Sequence, residues 1–92
     1  MAVGYYFSPQ GMGADKYDEI QRRLEEAGAG NPPGRSYHVT FGEENGLSVF
    51  DVWESTEQFD KFGETLMPIL QEVGVDAGKP EVVPIHNVII GS

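Results

Sequence analysis

The sequence has no cysteine, few basic residues and no long apolar run, and each absence excludes a class of protein. Without cysteine there is no disulfide framework and no thiolate metal site, and the chain is compatible with a reducing cytoplasm. Six Lys and Arg stand against fifteen Asp and Glu, which gives a formal net charge of −9. Phosphate backbones bind clustered cations, so we expect neither nucleic acid nor an anionic membrane surface as a partner.

The lack of long apolar runs bears on cellular location, and the length of the chain bears on the number of domains. No stretch approaches the roughly 20 residues needed to span a bilayer, and the opening MAVGYYFSP lacks the basic and apolar segments of a signal peptide. We therefore expect a cytoplasmic protein. The 92 residues are enough for one small domain over 1–92, and a domain of this size gains stability by burying further surface in an oligomer.

The strongest local signal in the sequence is the stretch Ser36–Glu54, SYHVTFGEENGLSVFDVWE, which predicts a β-hairpin. The pair Asn45 and Gly46 suits the two positive-φ positions of a type I′ turn. With these two residues as the loop, His38 lies opposite Trp53. The pairing depends on the turn type, because a three-residue turn would change the register.

The predicted hairpin has two different faces, because side chains alternate along a strand. One face is an apolar packing surface that carries Tyr37, Val39, Phe41, Phe50 and Val52. The other face mixes apolar residues with an imidazole, a hydroxyl and a carboxylate, and carries His38, Thr40, Val49, Asp51 and Trp53. The second strand is largely apolar on both sides, so each face of the sheet needs a cover.

A strand and a helix precede the hairpin. Ala2–Ser8 is short and aromatic, which favours a strand. Asp15–Ala27 repeats apolar residues at helical spacing, and Asp15 is the predicted N-cap. Gly28 follows at the position of a C-cap glycine. The charged residues of this helix form a solvated outer face of i,i+4 pairs.

A second helix and a last strand follow the hairpin. Ser55 opens the helix with a capping box that Gln58 completes, and Gly74 ends it. Glu81–Ile90 is apolar on both faces and predicts the last strand. Pro84 cannot donate a hydrogen bond to a neighbour, so this strand should lie at an edge of the sheet or be bulged there.

The element order is therefore strand, helix, strand, strand, helix, strand, which is the ferredoxin-like βαββαβ pattern of the α+β class. Such a fold has a four-stranded antiparallel sheet with two helices on one face. The other face is left bare, and the chain offers no further element to cover it. We expect a homodimer in which two sheets pack face to face into an α/β barrel.

The segment Val49–Ser55, VFDVWES, followed by Phe59, resembles the dimeric α/β-barrel superfamily. It is most similar to the small proteins grouped with the antibiotic-biosynthesis monooxygenases. The resemblance implies a pocket between sheet and helices, with Trp53 in its wall, that takes a flat polycyclic or quinol-like substrate. It also implies chemistry without metal or flavin, in which the substrate carbanion itself reduces oxygen and a histidine, here matched by His38, assists proton transfer.

The resemblance leaves the activity open, because the superfamily also includes haem-degrading enzymes, isomerases and polyketide cyclases. The Asn, Trp and His set of the haem-degrading branch is not present, since Val49 or Asp51 stands where its asparagine would lie. Haem is therefore not expected, and no other cofactor is implied. Two functions stay in view: a cofactor-independent enzyme acting on an aromatic or polyketide-type molecule, and a non-catalytic homodimer that binds a hydrophobic small molecule or is purely structural.

His38 and Asp51 are the candidate catalytic residues. Histidine is the side chain that most often exchanges protons near neutral pH, and the alternative is a histidine that only packs on Trp53. A carboxylate among apolar residues must be paired or hydrogen-bonded. Asp51 could orient His38, or it could equally bond Thr40 or the partner subunit.

The candidate substrate-binding residues are Trp53, Thr40, Tyr6 and His86. Tyr5 and Tyr6 point to opposite faces of the first strand, and alternation alone does not decide which of them enters the pocket. His86 could instead lie at the dimer interface. No His, Asp and Glu residues share metal-ligand spacing, so no metal site is predicted.

Overall fold

The computed structural model describes residues 2–91 and has the βαββαβ order. Its elements are β1 (Val3–Phe7), α1 (Ala14–Glu26), β2 (Arg35–Glu43), β3 (Gly46–Trp53), α2 (Thr56–Val73) and β4 (Glu81–Pro84). The strands form one antiparallel sheet in the order β2-β3-β1-β4. This confirms the ferredoxin-like arrangement. Neither helix within residues 2–91 combines the length and the apolar character that crossing a bilayer requires.

The two helices begin in different ways. Ser55 caps α2 as predicted, because its Oγ accepts a hydrogen bond from the Gln58 amide at 3.2 Å. Gly74, with φ at +87°, ends α2 in the left-handed conformation. The prediction that Asp15 caps α1 is wrong: Gly13 is the N-cap and has no side chain to donate or accept. Asp15 lies in the first turn, where its charge complements the helix dipole.

The hairpin register is shifted by two residues from the predicted one. Glu43 pairs with Gly46, so Glu44 and Asn45 form the loop and the prediction of an Asn45-Gly46 loop is wrong. Neither loop residue has a positive φ, which excludes a type I′ turn. The two faces of the hairpin are nonetheless as predicted, because side-chain direction repeats every two residues and a shift of two preserves it.

Contacts from a distant part of the chain hold this turn. The Ala14 amide donates to the Glu44 carbonyl at 2.8 Å, and the Leu47 amide donates to the Met12 carbonyl at 2.8 Å. The loop that precedes α1 therefore brackets the turn on both sides. These two bonds pair backbone amides and carbonyls of the turn with those of the loop before α1. The tertiary contacts therefore override the local preference for a type I′ turn with Asn-Gly as its loop.

The core lies between the sheet and the two helices. Trp53 is 0% exposed and packs edge-on against Phe59, with ring centroids 5.6 Å apart. Tyr5 stacks on the same Phe59 at 3.8 Å. On the opposite face of the sheet, Tyr37 and Phe41 are 40% and 43% exposed. The helices thus cover one face, and the apolar residues of the other face stay partly open.

The last strand is shorter than predicted. β4 pairs only with β1 and ends at Pro84, which confirms the edge position that this proline indicates. The prediction that the strand continues to Ile90 is wrong, because within residues 2–91 the ladder with β1 ends at Pro84 and is followed by a single bond from the Ile85 amide to the Ala2 carbonyl. The chain continues without regular structure and leaves Ile89 and Ile90 86% and 65% exposed.

Candidate functional site

A hydrogen-bonded histidine and carboxylate lie under the helices. His38 on β2 is directly opposite Asp51 on β3, and not opposite Trp53 as the predicted register had it. The His38 Nδ1 and Asp51 Oδ1 atoms are 2.5 Å apart, and the Trp53 indole donates to Asp51 Oδ2 at 3.3 Å. Asp51 is only 5% exposed, so both of its oxygens need donors. Strand pairing places His38 against one oxygen, and Trp53, two residues further along the same face of β3, donates to the other.

This pairing orients the imidazole. Because a carboxylate accepts the bond at Nδ1, the proton of the neutral ring lies there and Nε2 is an acceptor. The Tyr17 hydroxyl is 2.7 Å from Nε2, and the Thr40 hydroxyl is 3.3 Å away. The nearer Tyr17 hydroxyl therefore donates to Nε2. We call the resulting chain of Trp53, Asp51, His38 and Tyr17 the relay.

Tyr17 is a site residue that the sequence analysis missed. Its position in α1 belongs to the apolar stripe that faces the sheet, which explains its placement but not its hydrogen bond. The ring lies nearly parallel to the His38 imidazole, at 7° and with centroids 6.1 Å apart. A hydroxyl within an otherwise apolar helix stripe is the signal that would have pointed to it.

The relay borders an apolar pocket between the sheet and the helices. Its polar lining consists of Tyr17, Gln21, Arg35, His38 and Asp51, and the rest of the wall is mostly aliphatic and aromatic. Water-sized space amounts to about 70 Å³, while the whole depression with its open mouth encloses about 580 Å³. Pockets for drug-sized ligands usually measure about 300–1,000 Å³, so only one end of such a ligand fits inside without movement.

Thr40 and Trp53 have supporting positions. Thr40 contacts the imidazole and does not border the pocket. Trp53 also stands behind the wall: it packs on Phe59 and Phe62, which line the pocket, and it donates to Asp51. Both residues therefore support the site through their contacts with other residues, and neither lines the pocket.

The structure does not bring the other two candidate binding residues to the pocket. Tyr6 pairs with Phe50 and stacks near Phe41 at 6.2 Å, on the face away from the helices. Tyr5, which pairs with Asp51, is the tyrosine that faces the helices. His86 is exposed in the segment after β4. The register of β1 turns Tyr6 away from the helices. His86 stays outside the sheet because β4 ends at Pro84.

Tyr5 belongs to the core and not to the relay. It is stacked under Phe59 and is 4% exposed. Burial, and secondarily the charges of Asp60 and Glu57, raise the pKa of the Tyr5 phenol. The phenol therefore stays protonated and supplies no base.

Arg35 is the second pocket residue that sequence reasoning missed. Its guanidinium carbon lies 5.7 Å from the centroid of the Phe62 ring, and its Nη2 donates to the Gly30 carbonyl at 3.3 Å. Simple alternation along β2 puts Arg35 on the face away from the helices. Nothing in the sequence marks the irregularity that reverses it. Within residues 2–91, no three His, Asp or Glu side chains come together in a way that could hold a metal ion.

Comparison with known proteins bears on the fold. No family model matches the chain, and no curated protein matches it by sequence. Solved structures do match: a candidate antibiotic biosynthesis monooxygenase from Chloroflexus aurantiacus has a TM-score of 0.66 at 18% identity, with 99% of this chain and 100% of that chain covered. SnoaB, a cofactor-independent oxygenase from Streptomyces nogalater, has a TM-score of 0.62 at 14% identity, with 96% and 94% covered.

A third similar structure is a candidate antibiotic biosynthesis monooxygenase from Caulobacter crescentus, with a TM-score of 0.58 at 18% identity and coverage of 96% and 91%. The alignments span nearly the full length of each chain. The protein therefore has the ferredoxin-like fold of the antibiotic-biosynthesis-monooxygenase-like proteins. At these identities the likeness establishes the fold, and the chemistry has to be argued from the site.

Proposed function

We propose that the protein is a cofactor-independent enzyme, monooxygenase-like or cyclase-like, that acts on an aromatic or polyketide-type small molecule. One observation carries the proposal: His38 borders an apolar pocket while buried Asp51 holds its Nδ1 at 2.5 Å. This is the arrangement of a general base with an orienting carboxylate. SnoaB, which has the same fold, is a cofactor-independent oxygenase, and this supports the oxygenase variant.

The proposed first step is removal of a proton from an acidic carbon of the bound molecule. His38 Nε2 accepts the proton, either after the Tyr17 hydroxyl turns aside or through that hydroxyl, and Asp51 stabilises the resulting imidazolium. In the oxygenase variant the carbanion reduces oxygen, and a CH₂ group with O₂ gives a carbonyl and water. In the cyclase variant the same carbanion attacks a carbonyl carbon of its own chain. A C–C bond forms, the π bond of the carbonyl breaks to give an alkoxide, and the alkoxide takes the proton back from the His38 imidazolium.

The test is oxygen uptake with a panel of anthrones and quinols. His38→Ala should lower kcat/KM by about 10²–10⁴-fold, the usual contribution of a positioned general base. His86→Ala is the matched control, because it removes the other histidine of the chain from an exposed position outside the pocket, and its rate should equal that of the wild type. Absence of turnover across the panel, or equal rates for the two variants, would contradict the oxygenase proposal.

A specific observation also favours a second function, a non-catalytic binding protein. The inner space of about 70 Å³ is small for a polycyclic substrate, and fully buried Trp53 does not line it. The chain has one tryptophan, and its indole packs behind the pocket wall, so its fluorescence can report ligand binding. Saturable quenching by a quinol without oxygen uptake or product would favour this function over the enzyme.

We also propose that the protein is a homodimer formed by the sheet faces that the helices leave open. Tyr37 and Phe41 are exposed by 40% and 43% on that face. A second copy is a suitable cover because an isologous interface matches the same apolar face with itself. Burial of this surface would stabilise a domain whose own core is small.

A further inference from the structure

A β-bulge places a cation in the pocket. Arg35 pairs with Trp53 and Tyr37 pairs with Val52, so Ser36 is an extra residue in β2 with no partner of its own on β3. The extra residue reverses the alternation and turns Arg35 to the same face as Trp53, toward the helices. Bulges next to functional sites commonly re-aim a side chain in this way.

The guanidinium reaches the pocket without an acidic partner. Arg35 lines the same pocket as His38, and its contacts are the Gly30 carbonyl and the face of Phe62. No carboxylate oxygen among residues 2–91 lies within 4.0 Å of its nitrogens. The carboxylate in the pocket wall, Asp51, has its oxygens bonded to His38 and Trp53.

The other two arginines of the chain are placed very differently. Arg22 bonds Glu19 and Glu26, and Arg23 bonds Glu19 and Glu72, all on the outer faces of the helices. In a chain with a net charge of −9, carboxylates are abundant and an arginine easily finds one. That the arginine without such a partner is the one in the apolar pocket indicates that its partner is a ligand.

We propose that Arg35 forms an anion subsite and that the ligand is an organic acid, with a carboxylate or enolate group and an apolar, planar body. The planar guanidinium presents a fork of N–H donors that matches two oxygens of a carboxylate, and the wall around it suits an aromatic ring. The inner space of about 70 Å³ admits the acidic end, while the remainder of the ligand lies in the open mouth. This inference rests on the proposed function only in that it concerns the same pocket.

The test compares two probes of nearly equal shape, benzoate and benzamide, by isothermal titration calorimetry. Wild-type protein should bind benzoate at least about tenfold more tightly than benzamide, as expected for a charge-assisted hydrogen bond. Arg35→Gln should remove the difference between the probes. Arg35→Lys should retain part of it, because the charge remains and the fork does not. Arg22→Gln is the matched control and should bind like the wild type, since that arginine lies on the outer surface.

The wild-type comparison needs no variant, so a misfolded Arg35→Gln protein cannot hide the answer. Equal affinity for both probes, binding of neither, or full discrimination in a folded Arg35→Gln protein would overturn the anion subsite. His38→Ala should keep the preference for benzoate. If the wild-type protein prefers benzoate but shows no turnover, the enzyme proposal alone is contradicted. If it shows turnover but no preference for benzoate, the anion subsite alone is overturned.

Discussion

Gly4 lies in the middle of β1, at a point where the sheet has no space for a side chain. A Cβ atom there would stand 2.9 Å from Ile85 Cδ1, 2.9 Å from Phe50 Cζ and 3.0 Å from Val83 Cγ2. These contacts lie on the face away from the helices, so the segment after β4 already covers part of it. The glycine is required by close approach of side chains and not by backbone conformation, since its φ is not positive.

Gly4→Ala should lower the free energy of unfolding by about 1–3 kcal/mol, the usual cost of overpacking. Gly63→Ala is the matched control: Gly63 lies inside α2, and apart from its chain neighbours and the adjacent backbone of its own helix, no atom lies within 4 Å of the place that a methyl group would take. The change should therefore stabilise the protein by about 0.5–1 kcal/mol through helix propensity. Urea unfolding followed by circular dichroism measures both. Equal stability of Gly4→Ala and the wild type would contradict the close packing of Ile85, Phe50 and Val83 around Gly4.

At the scale of elements, α1 and α2 are joined by charge as well as by apolar contacts. Glu19 accepts bonds from Arg22 at 2.6 Å and from Arg23 at 2.7 Å, and Arg23 also reaches Glu72 on α2 at 2.7 Å. Hydrogen bonds from Arg22, and then from Arg23, lower the pKa of Glu19 from 4.5 to about 2. Since these groups are exposed, each pair is expected to contribute little by itself.

The lowered pKa of Glu19 gives a pH dependence of known sign. A carboxyl whose folded pKa lies below its unfolded value stabilises the fold above the unfolded pKa, and the stabilisation is lost as pH falls through the folded value. Wild type should therefore exceed Glu19→Gln in stability at neutral pH, and the difference should vanish between pH 4.5 and about 2. Glu25→Gln, in the same helix but without an ion pair within residues 2–91, should show no such window. Thermal unfolding across pH measures both, and parallel curves would contradict the role of Glu19.

At the scale of the whole molecule, the open face of the sheet sets the expected assembly. Phe41→Glu introduces a charge into the proposed interface and should weaken dimerisation at least about tenfold, because a buried charge without a partner is costly. Met67→Glu is the matched control, since Met67 is 50% exposed on α2 and lies on the helix side. Light scattering at micromolar concentration measures both. A wild-type protein that is a stable monomer there would refute the dimer.

The sequence by itself determined the features that depend on neighbouring residues. Capping at Ser55 and the left-handed Gly74 bound α2, and the order of elements led to the ferredoxin-like fold. Alternation along the hairpin put His38 and Asp51 on one face even though the predicted turn was wrong. That result survived because the error was an even number of residues, and the direction of a side chain has a period of two.

Only the tertiary structure decided the features that depend on contacts between distant residues. The loop before α1 fixes the hairpin turn, and the register then sets His38 opposite Asp51. Tyr17 reaches the imidazole because α1 packs over β2, and Arg35 enters the pocket because Ser36 is bulged out of the ladder. A bulge and a register are chosen by the sum of pairing energies across the sheet, and no local pattern in the sequence carries that information.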